Sequence, residues 1–186
     1  AYAGPGNERY EGKTVAQIAR EMGKPCIDAY LDLCEMSDFK GRVNMGPYST
    51  PGIVSDLSRD DYCLYMTDAW VEPHGVQNPA IYDCFPKFLK YALNGTGDTL
   101  PRAIRKMTGA VADRFSIPDR GYVRAGYYAD LTVFNEETLR QGREDCGRSF
   151  GIERVFINGV PALEDGALKE SALRASGRAL RAKGRG

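Results

Sequence analysis

The stretch "YCLYMTDAWVEPHG", residues 62–75, gathers side chains that could do chemistry. An apolar run, Tyr62 to Met66, passes through Thr67 to a carboxylate, Asp68. The chain's one histidine, His74, follows six positions later. A carboxylate can take a proton from water and return it to a leaving group. An imidazole can do the same near neutral pH. Each residue also has a plainer reading. Asp68 can cap a turn or the next helix, because aspartate is a common turn residue. His74 sits in "EPHG", a turn-like sequence in which a histidine is simply solvated.

On pattern alone the cap is the commoner reading of Asp68, and its position supplies the chemical one. The short apolar run predicts a buried strand over Tyr62–Met66, and a long proline- and glycine-bearing loop, 69–84, follows it. An acid at the carboxyl end of a parallel strand looks into the mouth of an α/β barrel, where such folds place catalytic groups. Metal chemistry finds less support. A catalytic zinc site takes three protein ligands, mostly histidines, plus water. One histidine with scattered acids and thiols does not supply that set, so any metal would need ligands from outside this chain.

The totals exclude several classes. The chain has 186 residues, with 25 Lys plus Arg against 25 Asp plus Glu. That balance gives no general attraction to nucleic acid or to an anionic membrane. No apolar run approaches the ~20 residues that a bilayer span requires. The five cysteines are scattered and form no CxxC pair, so they read as reduced thiols rather than a disulfide framework. Ala1 to Gly12 is polar and glycine-rich, without a signal-peptide pattern. Together these features lead us to expect a cytoplasmic protein.

The elements that must position the acid are helices first and short strands after. Thr14 and Gln17 have capping-box spacing, and Val15, Ile18, Ala19 and Met22 recur at helical spacing up to Gly23. Pro25 opens a second helix with an apolar stripe of Ile27, Tyr30, Leu31 and Cys34. "GRVNM" suggests a short strand and "VSDLSRDD" a helical turn or two. Pro86 suits the first turn of a helix carrying Phe85, Phe88, Leu89 and Ala92. Thr99 can cap another, with Leu100, Ala103, Ile104 and Met107 inward. At Ser116 the texture turns β-like, and Ile152 to Leu163 read as a hairpin around Asn158-Gly159. The order suggests the end of an α/β unit joined to a small β unit. The tail carries Lys169, Arg174, Arg178, Arg181, Lys183 and Arg185 and reads as solvated or subunit-bracing, with an RNA- or lipid-binding arm as the alternative.

Several segments carry a resemblance. "YEGKTVAQIAREMGKPCIDAYLDL", "MTDAW", "NPAIYDCFPKFLKYA", "LPRAIRKMTGAVADRFSIPDRGYVRAGYYADLTVFN" and "INGV" run from about residue 10 to 166. They resemble the carboxyl-terminal part of the amidohydrolase superfamily, most closely the N-acyl-D-amino-acid deacylases, or D-aminoacylases. "MTDAW" stands where that family has "GSDG" at the end of its last barrel strand. The long "RKMTG…RF…DRG…G…ADLTVF" string is the most specific match.

The resemblance implies an α/β fold: the carboxyl-terminal portion of a metal-dependent (β/α)8 barrel, followed by strands of a small β-sandwich. Residues 1–116 would be the last barrel elements, 117–166 the sandwich strands and 167–186 a basic tail. It implies hydrolysis of an amide bond with zinc, whose ligands lie mostly outside this chain. Asp68 would be both the general acid/base and a metal ligand, acting on a small-molecule amide substrate, and the chain alone would be inactive. Its partners would be the remainder of the amidohydrolase chain or another subunit, with a homo-oligomer left open and neither nucleic acid nor membrane involved. Departures fall in the loop after the acid. The family's His and Arg of "HPR" are Asn78 and Ala80 here, and a Gly is Asp83. Asn78 and His74 therefore become the candidate substrate-binding residues, and recognition of a free carboxylate is open. The rival reading is a non-catalytic interaction or assembly module derived from an amidohydrolase.

Overall fold

Thr14 and Gln17 start the first regular helix as their spacing predicts. They do so in a computed structural model that describes residues 2–43, 46, 50–71, 73–74, 77–142, 149–170, 172 and 176–180. The chain forms two compact units, Ala1–Tyr48 with Asp68–Ile81, and Ser49–Thr67 with Tyr82–Gly186.

In the first unit, Thr14 Oγ1 accepts from Gln17 N at 3.2 Å and Gln17 Oε1 accepts from Thr14 N at 2.8 Å, which opens α1 (Val15–Met22). Gly23 closes it at φ 67°, with Lys24 N donating to Ala19 O and Gly23 N to Arg20 O. Ile18 and Ala19 are buried, and α1 packs on α2 (Cys26–Met36). The expected stripe of α2 is not its inward face. Ala29 is the residue buried there, while Ile27 and Leu31 are 63% and 57% exposed. A small residue lets two helices approach closely, and turning Ala29 inward rotates the larger side chains outward. Asn7 and Ser37 are both buried: Asn7 Nδ2 donates to Met36 O, which laces the amino-terminal segment to the end of α2, and Gly41 N donates to Ser37 Oγ just after that helix. The strand expected at "GRVNM" falls partly outside the described residues. Arg42 makes one antiparallel bridge with Tyr2.

The second unit holds α3 (Pro51–Arg59), α4 (Ala80–Leu93), α5 (Leu100–Met107), α6 (Gly109–Arg114) and α7 (Glu136–Gln141). One antiparallel sheet is ordered β1 (Leu131–Phe134), β2 (Ile152–Ile157), β3 (Val160–Glu164), β4 (Ala167–Leu168). Asn158 and Gly159 turn the β2–β3 hairpin at φ 51° and 81°, the paired positive values of a type I′ turn. A register shift after Val133 turns Phe134 toward the core and leaves Leu131 and Val133 partly exposed.

The core is Leu89, Leu139 and Phe150, with Leu93, Leu100, Ile104, Met107 and Phe134 packed against it. Leu139, on α7, is fully buried. That helix is capped by Asn135 Oδ1, which accepts from Thr138 N at 3.0 Å. Helix α4 starts earlier than Pro86 suggests and carries that proline in its interior. The missing N–H leaves the carbonyl of Tyr82 without its helical donor. The Ser149 hydroxyl takes its place.

A buried ion network ties α5 to the end of α3. Lys106 Nζ donates to Ser58 O (2.7 Å) and Asp60 O (2.6 Å), and lies 2.8 Å from Asp98 Oδ2. Arg102 reaches Asp98 Oδ1 (2.8 Å), Arg59 O (2.9 Å) and Asp61 Oδ1 (2.6 Å). Burial pushes the Asp98 carboxyl up. The Lys106 ammonium, the Thr99 N–H and Arg102 outweigh it and hold the carboxyl below the ordinary carboxylate range.

Two expectations follow. Because its folded pKa is depressed, Asp98 contributes stability that is complete above the unfolded carboxylate range, near pH ~4. That contribution is lost as the pH falls through the lower folded value. Asp98→Asn should lower the melting temperature at pH 7 and flatten its decline between pH ~5 and ~2, measured by thermal unfolding. Gly121 sits at φ 81°, where an added Cβ would come 2.7 Å from Ala112 Cβ and 3.0 Å from Gly109 Cα. Gly121→Ala should cost about 2 kcal/mol or more in denaturant titrations, from left-handed strain and overpacking together.

Candidate functional site

Asp68 lies on an exposed, irregular segment. The strand expected over Tyr62–Met66 does not form among the described residues: Tyr62 is 96% exposed, and residues 63–65 are half-buried. A strand exists only as a rung in a ladder, and this segment has no neighbouring strand here. Its backbone is held by other means. Tyr62 N bonds the Asp60 carboxylate at 2.8 Å, Tyr65 N donates to Lys106 O at 3.4 Å, and Cys84 Sγ donates to Met66 O at 3.2 Å. Burial pushes the Cys84 thiol up, which keeps the proton it donates. The Tyr65 ring packs on Phe88 with centroids 4.5 Å apart. The apolar run is thus fastened by side chains of α4 and a backbone carbonyl of α5 up to Met66.

The carboxylate of Asp68 is exposed, and no described residue engages it in a hydrogen bond or ion pair. His74 is exposed as well, but its place is set. The Tyr2 ring stacks on its imidazole at 5.4 Å with the planes 29° apart, and Arg42 NH2 donates to its carbonyl at 3.3 Å. The Arg42 guanidinium lies 5.9 Å from the centre of the Tyr2 ring. Asn78 has a backbone task. Its Oδ1 accepts from Ala80 N at 3.0 Å, an Asx turn that satisfies an orphan N–H at the start of α4. Asp68, His74 and Asn78 belong to the same unit, yet no hydrogen bond, ion pair or ring contact joins any two of them among the described residues.

Sequence reasoning missed Tyr2 and Arg42, which lie far from His74 in the chain. Nothing local marks them. It also missed Lys106, although a lysine on the inner side of an otherwise apolar helix stripe is itself a signal of a buried partner.

The donor set does not by itself make a metal site. Among the described residues, no group of three or more His, Cys, Asp or Glu side chains is arranged to hold an ion. No described helix is long and apolar enough to cross a membrane.

No family model matches the chain. Among individual proteins, it is 35% identical to a D-aminoacylase from Alcaligenes xylosoxydans xylosoxydans over 100 residues, covering 51% of this chain and 21% of that protein. It is 27% identical to an N-acyl-D-glutamate deacylase of the same organism over 161 residues, covering 80% of this chain and 30% of that protein. Among solved structures, it aligns with a crystal structure of D-aminoacylase described as defining a novel subset of amidohydrolases. The TM-score is 0.65 and the identity 27%, over 91% of this chain and 34% of that one. A second D-aminoacylase structure, concerned with the role of a binuclear metal center, aligns with a TM-score of 0.67 and 26% identity over the same shares. The chain therefore spans about a third or less of the proteins it matches. In sequence and in fold, the chain is similar to part of the D-aminoacylase amidohydrolases.

Proposed function

We propose that this chain supplies the carboxyl-terminal portion of a zinc-dependent amidohydrolase that cleaves the amide bond of an N-acyl-D-amino acid. The observation that carries this reading is the alignment with D-aminoacylase over 91% of the chain, in a chain that presents an exposed, unengaged carboxylate within "MTDAW". In this reading, residues 1–116 are the last barrel elements, 117–166 the sandwich strands and 167–186 a basic tail.

Asp68 then works as general acid/base. Its carboxylate accepts a proton from water as the water oxygen bonds the amide carbonyl carbon. The same proton passes to the amine nitrogen as the carbon–nitrogen bond breaks, and the carboxylate is regenerated. Asp68 also offers an oxygen to a metal whose other ligands come from outside this chain. His74 and Asn78 lie on the loop that follows and are the candidate contacts to substrate. With its side-chain oxygen committed to Ala80 N, Asn78 keeps its NH2 group as a donor for a substrate oxygen.

Exposed apolar side chains support a covering partner. Ile53 and Leu57 lie one turn apart on α3 and are 50% and 54% exposed, and Met66 is 70% exposed. Scattered apolar residues on a surface are ordinary; a row along one helix and the segment after it marks a contact surface. The remainder of an amidohydrolase chain is the partner that fits relatives three times as long.

Two outcomes are expected. The chain alone should give no zinc-stimulated release of acetate from N-acetyl-D-amino acids, and turnover by the isolated chain would remove the need for outside ligands. In a longer protein that carries this chain, Asp68→Asn should lower kcat by about 10²–10⁴-fold. The bound zinc, read by metal analysis, should stay nearly complete. Retained turnover there would take Asp68 out of the mechanism and favour the assembly-module reading.

A further inference from the structure

Three separate stretches of the smaller unit meet at His74. Tyr2 and Arg42 exchange both backbone hydrogen bonds of an antiparallel bridge, Tyr2 N donating to Arg42 O at 3.0 Å and Arg42 N to Tyr2 O at 2.7 Å. From that bridge both side chains reach residue 74. Arg42 NH2 donates to the His74 carbonyl at 3.3 Å, and the Tyr2 ring stacks on the imidazole with centroids 5.4 Å and planes 29° apart. A guanidinium thus holds the backbone, and an aromatic face holds the ring. Fastening the amino terminus does not require the stack. The bridge uses backbone atoms alone, Ala3 N donates to Glu11 Oε1 at 3.3 Å, and Asn7 Nδ2 donates to Met36 O at 3.2 Å. None of these bonds involves the Tyr2 ring or the imidazole. His74 is exposed, and neither of its ring nitrogens has a hydrogen-bond partner among the described residues. A buried structural imidazole satisfies its nitrogens with partners. This one is held by its face instead. Stacking leaves the in-plane N–H and lone pair open, so a ligand can bond either one without breaking a bond within the protein.

We propose that Tyr2 is a positioning residue for His74: its ring fixes the plane of the imidazole so that a ring N–H is presented to a substrate oxygen. The proposal rests on the reading of His74 as a substrate contact. Tyrosine suits the task because its ring is large, flat and governed by only two side-chain torsions. Orienting a contact in advance strengthens binding, because the contact no longer has to be ordered when substrate arrives. Such a contact acts on bound substrate and transition state alike, so its loss falls on KM rather than on kcat.

The test compares Tyr2→Leu with Tyr2→Phe. The backbone bridge should survive both, because it uses no side-chain atom. The chain has one histidine, so the carbon-bound protons of its imidazole give a single pair of NMR signals. At pH ~9, where free imidazole is neutral, the parent signals should lie upfield of those of the urea-unfolded chain, shielded by the tyrosine face. Tyr2→Leu should return them to the unfolded positions, and Tyr2→Phe, which keeps the ring, should leave them upfield. In a longer protein that carries this chain, Tyr2→Leu should raise KM about two- to tenfold, the factor a stacked ring pair is worth, with kcat unchanged. Tyr2→Phe should restore the parent KM. Parent signals at the unfolded positions, or signals that stay upfield in Tyr2→Leu, overturn the proposal. So does a KM that Tyr2→Leu leaves unchanged in an enzyme where His74→Ala raises it. A KM indifferent to His74→Ala removes the substrate-contact reading, and the proposal with it. The NMR signals are read without substrate, so that failure is told apart from a failure of the stack.

Discussion

An ammonium taken out of water needs acceptors and a counter-charge, and Lys106 finds both within the larger unit. Two acceptors are backbone carbonyls at the end of α3, and the counter-charge is the carboxylate of Asp98, just before α5 begins. The same helix works on two sides. Its Leu100, Ile104 and Met107 pack on the core of Leu89, Leu139 and Phe150, while Arg102 and Lys106 grip the α3 terminus. Core packing is tolerant of small shifts, whereas two hydrogen bonds and an ion pair converging on a buried charge are not. The polar face of α5 therefore specifies a backbone path that the apolar face alone would leave loose.

That path leads to Asp68. The residues before Asp68 do not pair as a strand; the backbone carbonyl of Lys106 on α5 and the side chains of Cys84 and Phe88 on α4 hold them instead. Beyond Asp68 the chain is fastened again in the smaller unit, where the Tyr2 ring lies on His74 and Arg42 holds its carbonyl. Asn78 then starts α4 with its own side chain.

Much of the fold was legible because it is local. The capping box of Thr14 and Gln17, the Gly23 stop, and the Asn158-Gly159 turn each rest on contacts within a few residues. The inward residues of α5 followed from helical spacing alone. Other elements depended on distant partners. Pro86 looked like a helix start, but the Ser149 hydroxyl bonds the carbonyl it strands and lets α4 run through it. Helix α7 escaped notice although Asn135 before Glu136 and Glu137 is a capping signal; its single fully buried leucine makes no visible stripe in six residues. For the site, Asp68 stood out by residue type and place, whereas the meaning of that place came from resemblance to a family.

The amino-acid sequence by itself determined where helices begin and end, where the hairpin turns, and which acid sits on the segment before the loop. Those depend on capping groups, positive-φ positions and periodicity, all of which act over one or two turns of chain. Only the tertiary structure decided that Tyr62–Met66 is not a strand, that α2 turns Ala29 inward rather than Ile27 and Leu31, and that Lys106 is buried. A ladder needs a second strand, a helix face needs an opposing surface, and a buried charge needs its counter-charge. None of these is a property of the segment in which the residue is found.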